Sequence, residues 1–141
     1  SMSDLEKLPL TTKKQLQERN MDFMCVKEEK IIDYITTSGT TGEPITFGAT
    51  EKDLQRLADN EHASFVCAGG SSRDIYQLML TLDRRFMAGM AYFLGLRQLG
   101  AGIVRVGPGN VLLQFDTINR TSPTVLVTVP SFLLKLIEHA E

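Results

Sequence analysis

The sequence has no tryptophan, and only two cysteines, two histidines and five prolines. Cys25 and Cys67 share no motif with each other or with His62 and His139. A disulfide scaffold or a zinc site needs more ligands at tighter spacing, so no metal site is expected and a reduced, cytoplasmic setting is the simplest reading. No apolar run reaches the roughly 18 residues that span a bilayer. Ser1-Met2-Ser3-Asp4-Leu5-Glu6-Lys7 lacks the basic-then-apolar layout of a signal peptide. Ser1 ahead of Met2 has the character of a residue left by an expression tag, so residues 1–2 are set apart from the domain that begins at Ser3. An excess of charge is missing too. Fifteen Lys and Arg against seventeen Asp and Glu leave a formal charge of -2, giving no electrostatic ground for nucleic acid or an anionic membrane as partner.

What is present fits a globular chain. With 141 residues, 43% hydrophobic and 23% charged, there is room for one ordinary domain or part of a larger one. Thr12 and Gln15 have the spacing of a capping box, which predicts a helix over 12–18. The β-branched run Ile31 to Thr37 reads as a strand, and Ile45 to Gly48 as another. A helix is expected from Glu51 to Cys67, burying Leu54, Leu57, Ala58 and Phe65. Further on come a strand from Ile75 to Thr81, an apolar helix from Phe86 to Leu99, and a stop at Gly100-Ala101-Gly102. A strand over 103–106, an amphipathic stretch over 111–118, a strand over 124–129 and a helix from Ser131 complete the pattern. Strands alternating with helices predict an α/β fold, a mostly parallel sheet flanked by helices.

Residues 36–42, Thr-Thr-Ser-Gly-Thr-Thr-Gly, place five hydroxyl residues and two glycines in seven positions. Such a loop can offer backbone amides and O–H donors to an anion, while glycine permits close approach. On composition alone a polar surface turn serves equally well. Two familiar phosphate loops are excluded: Glu43-Pro44 stands where a Walker A motif needs Lys-Ser/Thr, and neither Gly39–Gly42 nor Gly107-Pro108-Gly109 completes Gly-x-Gly-x-x-Gly.

The order of residues says more. Thr37-Ser38-Gly39-Thr40-Thr41-Gly42-x-Pro44 resembles the phosphate loop of the adenylate-forming superfamily of acyl-CoA synthetases, adenylation domains and luciferases. Within it the chain is similar to the phenylacetate–CoA ligases. Leu8-Pro9-Leu10-Thr11-Thr12-Lys13 resembles their upstream Pro-x-Thr-Thr-Lys stretch, and Arg85-Phe86-Met87-Ala88-Gly89 their aromatic-plus-glycine segment. Arg97 to Ala101, Pro123 to Leu126 and Val129 to Leu134 fit in the same order, so the resemblance covers nearly the whole chain.

The resemblance implies an enzyme that joins a small carboxylic acid to ATP and passes the acyl group to coenzyme A, with Mg²⁺ neutralising the triphosphate. Thr37, Ser38, Gly39, Thr40, Thr41 and Gly42 would hold the β- and γ-phosphates. Charge-assisted donors of that kind contribute about 1.5–3 kcal/mol each. Many relatives carry lysine where this chain has Glu43, which is therefore expected to face solvent. Phe86, Gly89 and Tyr92 would border the acid pocket, with Pro130 and Ser131 at its edge, although aromatics at helical spacing also serve a core. His62 and His139 read as surface or satisfied histidines, Cys67 as packed, and Asp83-Arg84-Arg85 as a solvated loop that could also meet a phosphate-bearing ligand.

Other working parts of such enzymes have no counterpart here: the aromatic-Gly-x-Thr-Glu segment, the ribose-binding Asp, and the lysine of the mobile C-terminal domain. The resemblance therefore implies that residues 3–141 are a piece of the large N-terminal AMP-binding domain, with no catalytic residue of their own and apolar surface left exposed. The isolated chain is expected not to adenylate any acid. Two alternatives stay open, an acyl-protein synthetase-like enzyme and a non-catalytic nucleotide-binding remnant. Oligomeric state is not legible.

Overall fold

The computed structural model describes residues 2–37 and 42–140 and falls into two compact units, Ser1–Thr50 and Glu51–Glu141.

In the first unit, Thr12 opens helix α1 (Lys13–Glu18) with the expected reciprocal cap. The Gln15 amide donates to Thr12 Oγ1 at 3.2 Å and the Thr12 amide to Gln15 Oε1 at 2.8 Å. Single 3-10 turns follow at Asn20–Phe23 and Glu28–Lys30. Strands β1 (Asp33–Thr36) and β2 (Thr46–Ala49) pair antiparallel, with Asp33 opposite Ala49 and Thr36 opposite Thr46. This hairpin is the exception to a mostly parallel sheet. A parallel crossover needs a dozen or more residues, whereas residues 37–45 suffice only to turn the chain back on itself. The strand expected over 31–37 is shorter in ladder terms, yet Ile32 N still donates to Ala49 O and Thr37 N to Ile45 O just beyond its ends. Gly48 lies so close to Ile31 that a Cβ there would meet its side chain at 2.7 Å.

The second unit holds helix α2 (Glu51–Cys67), strand β3 (Ile75–Leu78), helix α3 (Met87–Leu99), strand β4 (Gly102–Arg105), helix α4 (Val111–Thr121), strand β5 (Val125–Val127) and helix α5 (Pro130–Ala140). The three strands are parallel in the order β4-β3-β5. The chain therefore crosses one way from β3 to β4 and back the other way from β4 to β5. With crossovers of one hand, that reversal puts α3 and α4 on opposite faces of the sheet.

The alternation along β3 matches. Tyr76 and Leu78 pack with Leu96 of α3, with Phe65, Tyr92 and Phe93 around them, while Gln77 meets Gln114 of α4. Burying a leucine such as Leu78 or Leu96 completely contributes about 1.5–3 kcal/mol. Phe65 stacks edge-on against Tyr76 and Tyr92, at centroid distances of 5.2 and 6.1 Å. Helix α3 approaches α2 closely at Gly95, where a Cβ would meet the Glu61 Cβ at 2.5 Å. It ends at Gly100, as expected, in the left-handed conformation with φ 75°.

Two expected strands are longer on paper than in space. β3 stops at Leu78, and β5 stops at Val127 because Pro130 already begins α5. Cys67, expected to be packed, is exposed, since it falls in the last turn of α2 away from its buried Ala58 face. Leu54, Leu57 and Phe65 are partly buried, as their spacing requires. Leu112 on α4 and Leu133, Leu134 and Ile137 on α5 are exposed apolar residues.

Candidate functional site

Both ends of the hydroxyl-rich loop are fixed within the first unit. At its entry, the Thr37 amide donates to Ile45 O at 3.0 Å, and Thr37 Oγ1 accepts from the Ile45 amide at 3.0 Å. The hydroxyl oxygen thus closes the hairpin, and no described contact uses its proton. At the exit, Gln17 Nε2 donates to Glu43 O at 2.7 Å. Asn20 takes Thr46 from both sides: its Nδ2 donates to Thr46 O at 2.6 Å, and its Oδ1 accepts from the Thr46 amide at 2.7 Å. The Asn20 amide thereby imitates a neighbouring strand for one residue of β2. Gly42 has φ +126°, which strains any side chain, and a Cβ there would come within 2.8 Å of Gln17 Nε2 and displace that amide. Thr37 and Glu43 are exposed. Ser38, Gly39, Thr40 and Thr41 lie outside the described residues.

A cleft of about 390 Å³ opens in the second unit. Leu80 to Arg84, just past β3, form one wall, and Arg105 to Pro108, at the end of β4, form the other. In an open parallel sheet, ligands collect where adjacent strands send their following helices to opposite faces. β3 and β4 are such a pair. The second wall is braced from below by a buried amide pair. Gln77 Nε2 donates to Gln114 Oε1 at 2.8 Å, and Gln114 Nε2 donates to the carbonyls of Gly107 and Gly109 at 2.9 and 3.0 Å. Gln77 and Gln114 are both fully buried, and Gln77 Oε1 has no partner among the described residues. Asn110, with φ 44°, caps α4 by accepting from the Leu113 amide at 3.1 Å, which ends the turn.

Asp74 ties the start of β3 to the start of β5. Hydrogen bonds from Ser71 hold its carboxyl below the usual range, reinforced by Thr124 and by the Ser71 backbone. Burial raises the Tyr76 hydroxyl above its ordinary value, and the Asp74 charge adds to the effect. On the α2–α3 surface, Gln55 and then Gln98 lower Asp59 by donating to it.

The acid-pocket candidates separate into different environments. Phe86 occupies the N-cap position of α3 and is 49% exposed. Gly89 is buried, and a Cβ there would fall on the Thr81 carbonyl oxygen, moving a wall of the cleft. Tyr92 belongs to the packing around the core, against Phe65. Pro130 and Ser131 are exposed in the first turn of α5, beyond the carboxyl end of β5. His62 is half-buried on α2 and His139 exposed, its ring 5.7 Å from that of Phe115. Sequence reasoning missed Gln17 and Asn20, whose spacing of three along adjoining helical turns was the available signal. It also missed Arg105 and the Gln77–Gln114 pair, for which no local signal exists.

No protein-family model matches the chain. Solved structures show the fold. The crystal structure of 2-hydroxyisobutyryl-CoA ligase in complex with 2-HIB-AMP and CoA in the thioesterification state is similar with a TM-score of 0.84 at 23% identity, over 99% of this chain and 31% of that one. The fold is that of the adenylate-forming CoA ligases. Curated relatives narrow it. The chain is 32% identical over 141 residues to phenylacetate-coenzyme A ligase of Escherichia coli (strain K12), covering 99% of this chain and 32% of that protein. It is 29% identical to the protein of the same name in Aromatoleum evansii, over 100% of this chain and 32% of that one. Along its whole length, then, the chain is similar to the phenylacetate-coenzyme A ligases, as its loop and flanking segments imply. It spans about a third of the length of the curated relatives it matches.

Proposed function

We propose that this chain supplies the ATP-phosphate grip of an acid–CoA ligase, as part of an N-terminal AMP-binding domain over residues 3–141. One observation carries the reading: the sequence Thr-Ser-Gly-Thr-Thr-Gly falls between two antiparallel strands in a chain 32% identical to a phenylacetate-coenzyme A ligase. The substrates are a small carboxylic acid of the arylacetic kind, ATP and coenzyme A.

In the first step a carboxylate oxygen bonds to the α-phosphorus as the bond to the β-phosphate oxygen breaks, giving an acyl-adenylate and pyrophosphate. In the second, the coenzyme A thiolate attacks the acyl carbon and AMP leaves. Repulsion between two anions opposes the first step, so binding and alignment of the triphosphate are what a protein must add. Thr37 to Gly42 supply amides and hydroxyls for the β- and γ-phosphates. Gln17 and Asn20 fix the exit of that loop, which reduces the ordering lost on binding. Exposed Glu43 lies on the solvent side, where its charge opposes phosphate least. Mg²⁺ enters this reading as the counter-ion of the nucleotide, the part the resemblance implies for it. Two exposed thiols suit a reducing, cytoplasmic setting. No helix among the described residues is long and apolar enough to cross a membrane.

The test is equilibrium binding of ATP to the purified protein and to Gly39→Val. The reading expects saturable binding that weakens at least about tenfold in the variant, since a branched side chain blocks close approach of the backbone to phosphate. Equal affinity in the two proteins would remove the loop from the site.

A further inference from the structure

We propose that the cleft between the carboxyl ends of β3 and β4 is an oxyanion-binding site, in which Arg84 and Arg105 hold a carboxylate or phosphate group of a small ligand. This goes beyond the ligase reading and does not rest on the Thr37–Gly42 loop.

Four observations converge on it. First, topology puts the cleft between β3 and β4, neighbouring strands whose following helices go to opposite faces, which is where open α/β sheets bind ligands. Second, its volume of about 390 Å³ suits a small organic molecule. Third, the lining carries two guanidinium groups, Arg84 and Arg105, against a single carboxylate, Asp83. The ion pairs of the described residues all lie elsewhere, so neither arginine is already neutralised. The Arg105 guanidinium carbon lies 5.4 Å from the centroid of the Phe93 ring, a contact that restrains the side chain and leaves its donors available.

Fourth, Arg84 and Arg85 both have positive φ, at 58° and 60°. Two successive non-glycine residues in the left-handed region persist only where the surroundings fix them, and such positions concentrate at ligand sites. The opposite wall is fixed as well, by the Gln114 amide on the carbonyls of Gly107 and Gly109. A planar fork of donors on each side matches a planar carboxylate or a phosphate face.

The group recognised has two sources: a second carboxylate on an organic acid, or the phosphate of a nucleotide or cofactor. Titration of the protein in the Gly39→Val background, at low ionic strength, separates them, with succinate in one arm and inorganic pyrophosphate in the other. Backbone amide signals of Leu82 and Gly107 report on the cleft by NMR. The proposal expects saturable shifts of both signals with at least one ligand. Succinate alone identifies a carboxylate source, pyrophosphate alone a phosphate source, and both together a site that reads charge. Affinity should fall about tenfold in Arg84→Gln and in Arg105→Gln, less in Arg105→Lys, and not in Arg73→Gln, whose arginine precedes β3 at the opposite edge. Absence of saturable shifts with either ligand, or an equal loss in Arg73→Gln, overturns the proposal. Unchanged far-UV circular dichroism in the variants excludes misfolding as the cause of a loss.

Discussion

The two units of the chain solve different problems. In the second, Tyr76, Leu78 and Leu96 form a dry core under a parallel sheet, and the buried residues come from strands and helices far apart in sequence. In the first, Ile35 and Ala49 are the buried residues among those described, and much of the order comes from polar side chains clamping a single hairpin. Packing energy scales with apolar area removed from water, whereas each neutral hydrogen bond contributes about 0.5–1.5 kcal/mol net. The parallel unit therefore resists opening as a whole, and the hairpin is held locally at the ends of the loop it presents. A loop proposed to take a nucleotide is better carried by a hairpin held in this local way.

The largest effect that tests this contrast is Leu78→Ala. Leu78 is 0% exposed, and truncation should cost about 2–5 kcal/mol in a denaturant titration. Hydrogen exchange then shows whether the units differ as proposed. Amides of β3 should slow down and speed up with global stability, while those of β1 and β2 exchange through smaller local openings in both proteins. If Leu78→Ala accelerates β1 and β3 amides by the same factor, the two regions open together and the contrast fails.

The same division governs what the sequence discloses. The proposed phosphate loop can be read from the sequence because such a grip needs consecutive amides and hydroxyls, and residues 36–42 are consecutive in the chain. The Thr12–Gln15 cap and the Gly100 stop were legible for the same reason, being local chemistry. The strand and helix alternation disclosed the parallel sheet, but not the strand order that places the cleft. Arg84 and Arg105 come together only through the pairing of β3 with β4, and Gln77 finds Gln114 only across the sheet face. The hairpin was hidden in another way: its two short strands carry no sign of direction, and the length of the connection decides it.

A middle-sized effect sharpens the contrast from the polar side. Gln114→Leu should destabilise by about 1–3 kcal/mol, because the buried Gln77 amide loses its shorter bond, keeping only the 3.3 Å bond to the backbone carbonyl of residue 114, and the Gly107 and Gly109 carbonyls lose their donor. Adding Gln77→Leu should recover a substantial part of that loss, since Gln77 Oε1 is already without a described partner and an apolar pair of similar volume needs none. The double-mutant cycle reads the coupling directly. If the two substitutions simply add, the amide pair is not the brace of the cleft wall.

The smallest effect concerns two carboxylates, one in each unit, both held below their ordinary value of 3.8. Asp4 is lowered chiefly by the hydrogen bond from Lys7, three residues away on an exposed turn. Asp74 is lowered chiefly by the Ser71 hydroxyl and then by Thr124, fifty residues on in the sequence, at 2.9 Å. A carboxyl whose folded value is depressed adds stability above its unfolded value, and that contribution disappears as pH falls through the folded value. Asp74→Asn should therefore be less stable than the parent protein at neutral pH, and the gap should close as pH drops below about 3.8. Asp4→Asn should show little difference at any pH, because an exposed pair within one turn constrains nothing distant. Thermal unfolding of both variants across pH 2 to 7 measures the gap. A larger acid-sensitive loss at Asp4 than at Asp74 would reverse the assignment of long-range order to the parallel unit.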